Sequence, residues 1–154
     1  MEYEKINNRE NLPNLIVGME YKLETWHEVL IFGKEAIEQI LKYDEVNSKT
    51  LKAILKDHPS CAIICHPFYE DVFDDNDLFE AASGIEITSR GNLLESRKEI
   101  ILGKAEEYHL KIIASSDFHA PGNSSDSYTL IEADKICNET DLIQAFQNNL
   151  KFEI

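Results

Sequence analysis

The chain has 154 residues, enough for one domain with a sizeable core, and its content of 43% hydrophobic and 29% charged residues excludes the composition of a disordered segment. A net charge of −14 with no basic stripe repels phosphate backbones at long range and argues against stand-alone binding to nucleic acid. No apolar run approaches the ~20 residues that cross a membrane, and the opening MEYEKINNRE lacks the basic start and apolar centre of a signal peptide, so the sequence predicts a cytoplasmic protein with no membrane span.

Residues 1–13 are polar, end in Pro13 and read as a lead-in; residues 14–154 read as one domain. NLIVGMEYKL (14–23) and EVLIFG (28–33) predict two buried strands, and the short ETW between them predicts an antiparallel hairpin. Helical spacing follows in 34–43 (Ile37, Ile40, Leu41) and in 48–58 (Leu51, Ile54, Leu55), the second with Ser48 as expected N-cap and Pro59 as stop. CAIICHP (61–67) is a continuous apolar run, the pattern of a strand covered on both faces. The acidic 69–83 turns helical, with Asn76 or Asp77 as cap, before a short strand at 84–89. A helix over 92–109, strands over 111–117 and 127–133, a helix over 139–149 and a closing strand complete the chain. This alternation predicts βα units around a mostly parallel sheet or barrel.

Chemistry in such folds collects at the C-terminal ends of strands. Polar side chains able to bind a metal stand near those ends: Glu20, His66, Glu86, and the pair Asp117 and His119, with His27 just before the second strand. Each has a plainer reading. A lone strand Glu is most often a solvated edge residue, a His before Pro can be a hydrogen-bonded turn residue, and Asp-x-His is often a capped turn. Their recurrence at the ends of separate apolar strands is what favours a site. Carboxylates and imidazoles together suit Zn²⁺, Mn²⁺ or Fe²⁺. The three cysteines, Cys61, Cys65 and Cys137, form no C-x-x-C and read as free thiols. His58 and His109 close helices, and the acid run Asp71, Asp74, Asp75 and Asp77 lacks calcium-loop spacing. Neither a phosphate-binding glycine loop nor a nucleophile elbow occurs.

At these residues the chain resembles the PHP (polymerase and histidinol phosphatase) superfamily of metallo-phosphoesterases. VGMEY is similar to that family's G-x-E strand, AIICHPF to its strand ending in a ligand His-Pro, GIEITS to its next strand, whose glutamate is usually not a ligand, and IIASSDFHAPGN to its final S-D-x-H motif. The match spans roughly residues 14–135. The resemblance implies that Glu20, His66, Asp117 and His119 are metal-binding and catalytic residues, with His27, or Glu28 in a shifted alignment, as a further ligand. It implies hydrolysis of a small phosphomonoester or nucleotide by hydroxide generated on a divalent Zn, Mn or Fe. The family's opening H-x-H does not precede Glu20. The expected fold is therefore α/β, a partial distorted (β/α)7 PHP-type barrel lacking its first strands. Such an open barrel edge predicts a homo-oligomer or a complementing chain that covers it. The competing expectation is a non-catalytic PHP-like remnant or subunit that binds a partner or a single metal.

Overall fold

The computed structural model describes residues 15–67, 73–87, 95–116, 127–133, 135–148 and 150–154. They form a mixed α/β structure. Strands β1 (Met19–Lys22), β2 (Glu28–Phe32), β3 (Cys61–Ile64), β4 (Gly84–Glu86) and β5 (Lys111–Ile113) make one sheet in that spatial order. β6 (Leu130–Ile131) and β7 (Phe152–Glu153) form a separate antiparallel pair. The helices are α1 (Lys34–Ile40), α2 (Ser48–Asp57), α3 (Asn76–Ala81), α4 (Glu95–Glu107) and α5 (Glu139–Gln147).

The large sheet is half antiparallel and half parallel. β1, β2 and β3 run as an antiparallel meander, whereas β3, β4 and β5 are parallel. The connections explain the change: between β2 and β3 the two helices α1 and α2 bring the chain back to the end of the sheet it left, so that pair is antiparallel despite its long link. The β1–β2 link is a tight turn, and the links on either side of β4 carry α3 and α4 as crossovers. Among the described residues the sheet is open and does not close into a barrel.

Alternation along the strands sends side chains to two faces. One face carries Met19, Tyr21, Val29, Ile31, Ala62, Ile64, Ile85 and Ile112, which pack against apolar residues of α1 to α4 in the main core. The other face carries Leu30, Phe32, Cys61, Ile63 and Ile113, which pack with Ile143 and Phe146 of α5 and with Phe152 of β7. β3 is buried along its whole length because it lies under both layers.

Helix starts depart by one residue from the sequence expectation. Asn47, not Ser48, caps α2, its side chain accepting from the Thr50 amide at 3.0 Å. Ser48 is buried and donates its hydroxyl to Asp75. Asp75, rather than Asn76 or Asp77, caps α3 through the Leu78 amide at 3.0 Å. Asp77 and Glu80 instead pair with Lys52 of α2, which raises the lysine's affinity for its proton. The acidic run is thus a structural junction between α2 and α3. α4 ends on a left-handed residue, His109 (φ 57°), with the Leu110 amide bonded to the Ala105 carbonyl at 2.8 Å. That is a Schellman ending, with a histidine where glycine is usual.

Candidate metal centre

The site begins with the hairpin. Leu23 and His27 flank the three-residue turn, with the Leu23 amide bonded to the His27 carbonyl at 2.8 Å and Trp26 left-handed at φ 70°. This is the usual geometry of a three-residue hairpin loop, with tryptophan at the position that favours glycine. It fixes the register: Lys22 faces Glu28 and Glu20 faces Leu30. Glu20, Lys22, Glu28 and Leu30 therefore share the second face of the sheet. His27 falls on the opposite side, beside the buried Leu23, and is itself only 6% exposed.

β3 then brings His66. Its Nε2 lies 3.3 Å from Glu20 Oε1 and 3.1 Å from Glu28 Oε2. These three side chains offer one ligand atom each, all within 4.8 Å of one another. Around a tetrahedral cation with bonds of about 2.0–2.2 Å, ligand atoms sit about 3.3–3.6 Å apart, so the spacing suits a shared ion. The donor chemistry, one imidazole with two carboxylates, suits Zn²⁺, Mn²⁺ or Fe²⁺. Three protein ligands leave positions for water and substrate. Glu20 and Glu28 are partly open to solvent while His66 is largely covered, with side chains 45%, 32% and 17% exposed.

Two further groups border the cluster. Glu86, at the end of β4, is 5% exposed; its Oε2 accepts the His66 backbone N–H at 2.6 Å and its Oε1 accepts the Ser115 hydroxyl. The Cys65 thiol is driven well above the ordinary thiol range, first by burial and then by the carboxylates of Glu86 and Glu20. Without a cation beside it the thiol stays protonated at neutral pH and is a poor nucleophile. Lys22 stands at the rim, its Nζ 3.9 Å from Glu28 Oε1 and 4.3 Å from the centre of the Trp26 ring.

Of the residues singled out in the sequence, the structure brings together Glu20, His66 and Glu28, the residue of the shifted alignment, and leaves His27 on the other side of the hairpin. Asp117 and His119 lie outside the described residues, the first of them two positions after Ser115. Glu28 was legible in principle. Reading ETW as a three-residue loop pairs Lys22 with Glu28, and a pairing register fixes which residues share a face. No family model matches this chain, and no curated protein or solved structure matches it either.

Proposed function

We propose that the chain is a PHP-type metal-dependent phosphoesterase acting on a small phosphomonoester or nucleotide. The observation that carries the reading is the approach of one imidazole nitrogen to two carboxylates, at 3.3 and 3.1 Å, at the end of the sheet where β3 and β4 terminate. Glu20, Glu28 and His66 would hold the cation. A divalent ion bound there would supply Lewis acidity towards a phosphate ester and a lowered pKa for a bound water. The remaining work falls to the chain. Its carboxylates orient the imidazole, Lys22 offers a cation at the rim for an anionic substrate, and the buried sheet beneath limits solvent to one side. Asp117 and His119 would complete the site under the PHP reading. The strong negative charge favours a small substrate over duplex nucleic acid.

A second reading, a module that binds one metal without turnover, is favoured by the cluster itself, since three ligands account for a single ion. Metal analysis and hydrolysis of p-nitrophenyl phosphate with added Mn²⁺ separate the two. At least one bound transition metal, lost in Glu20→Ala and His66→Ala together with hydrolysis, is the expected result. Metal without hydrolysis selects the second reading, and a chain that takes up neither Mn²⁺ nor Zn²⁺ rules out both. Among the described residues β1 ends the sheet on one side, and an edge strand is a template for another chain. Sedimentation of the same preparation at micromolar concentration is therefore expected to give a dimer or a larger species; a monodisperse monomer argues against it.

A further inference from the structure

Strand alternation does not by itself aim His66 at the carboxylates. Ile63 faces α5 and Ile64 faces the helical core, so continued alternation would put residue 65 on the carboxylate side and residue 66 on the helical side. Regular pairing stops at Ile64, although the Cys65 amide still reaches the Glu28 carbonyl at 2.9 Å. At His66 the backbone turns to φ 26°, and its ring comes across to Glu20 and Glu28. A non-glycine residue in such a conformation is strained and persists only where its surroundings hold it. Pro67 follows, which narrows the choices of His66 further.

A contact that holds the backbone of this turn is the Glu86 carboxylate, through its 2.6 Å bond from the His66 N–H. Glu86 is almost fully buried, and both of its described partners are donors, the His66 amide and the Ser115 hydroxyl. A buried carboxylate is costly unless satisfied in this way. Its placement follows from the parallel register: Ile64 pairs with Ile85 and Glu86 with Ile113, so Glu86 projects between the outgoing ends of β3 and β5.

We infer that Glu86 is a positioning residue that fastens the left-handed turn at His66 and thereby aims the imidazole between Glu20 and Glu28. Its bond to Ser115 ties the end of β5 to the same anchor, so one carboxylate sets two strand ends in register. This rests on the metal reading above for its consequence, but not for its geometry.

Three substitutions separate reach from charge. Glu86→Gln keeps the reach: its amide oxygen still accepts from the His66 N–H, while the Ser115 hydroxyl can rotate to accept from the amide nitrogen. Glu86→Asp keeps the charge but is one methylene shorter. Glu86→Ala loses both. Mn²⁺ and Zn²⁺ alone are titrated into each folded protein by calorimetry, and the His66 backbone amide is followed by NMR and hydrogen exchange without metal. The expected result is a loss of about tenfold or more in metal affinity for Glu86→Ala and Glu86→Asp, as is typical when the support of a ligand is removed, with most of the affinity kept in Glu86→Gln. In the same order, the His66 amide loses its protection and its hydrogen-bonded shift. Unchanged affinity in folded Glu86→Asp, or equal losses in Glu86→Gln and Glu86→Asp, overturns the inference. If Glu86→Ala does not fold, the Gln and Asp variants decide. If the wild-type chain binds no metal, the proposed function falls, and the His66 amide alone decides whether Glu86 holds the turn.

Discussion

The two faces of the five-stranded sheet are built from alternate residues of the same strands, yet they have different chemistry. On the helical side Val29, Ile31, Ile64 and Ile85 are completely buried under four helices. On the other side, among the described residues, α5 and the short β7 cover the end that carries Cys61, Ile63 and Phe32. The opposite end of that same face holds Glu20, Glu28 and Glu86. Coverage decides the difference. A face closed by helices has no water for a charge, whereas a face closed at one end can hold carboxylates at the other, provided the buried ones are hydrogen-bonded. Stability is thus concentrated on one side of the sheet and candidate chemistry on the other, a few ångströms apart across a single layer of backbone.

The strongest way to break this separation is to damage the helical side and look for an effect on the site. Ile31→Ala removes a fully buried side chain and should cost about 2–5 kcal/mol, read from the denaturant midpoint, while under the proposed metal reading the folded fraction matches the wild type in a Mn²⁺ titration. A large loss of affinity in that variant would mean that the two faces are not independent. A smaller effect of opposite sign is expected at the end of α4. His109→Gly relieves a left-handed histidine within a Schellman ending and should raise stability by about 0.5–1 kcal/mol with no change in metal binding.

The smallest effect at neutral pH belongs to Cys61, at the apolar end of the site face. Burial, reinforced by the nearby Glu139 carboxylate, pushes its thiol from the ordinary 9.0 up to about 12. The unfolded chain therefore releases this proton first as pH rises, and the folded state loses stability between those values. Alkaline denaturation should be less steep in Cys61→Ala than in the wild type, with the two alike below pH 9.0 in their dependence on pH. Equal steepness would show that water reaches this end of the face and would narrow the contrast between the faces.

Much of the frame was legible in the residue pattern. The continuous run at 61–67 gave a strand buried on both faces, seen over Cys61–Ile64, ETW gave the hairpin, and the helix expected over 92–109 contains α4, whose Ile101 and Ala105 face the core. The caps were displaced because Asn47, Ser48, Asp75, Asn76 and Asp77 are all competent at a helix start, and the contacts between α2 and α3 select among them. The barrel expected from βα alternation is an open mixed sheet among the described residues, since alternation specifies crossovers and not the closing of a sheet.

The candidate site divides along the same line. Sequence alone determined that Glu20 and His66 stand on or beside apolar strands, and the length of the hairpin loop already implied that Glu28 shares a face with Glu20. These are local properties, set by alternation and turn length. What only the tertiary structure decided is that His66 departs from alternation to reach both carboxylates, and that the buried Glu86 on the neighbouring strand meets its amide. Both depend on the parallel register of β3 and β4, a pairing between segments 20 residues apart, and no local pattern encodes it.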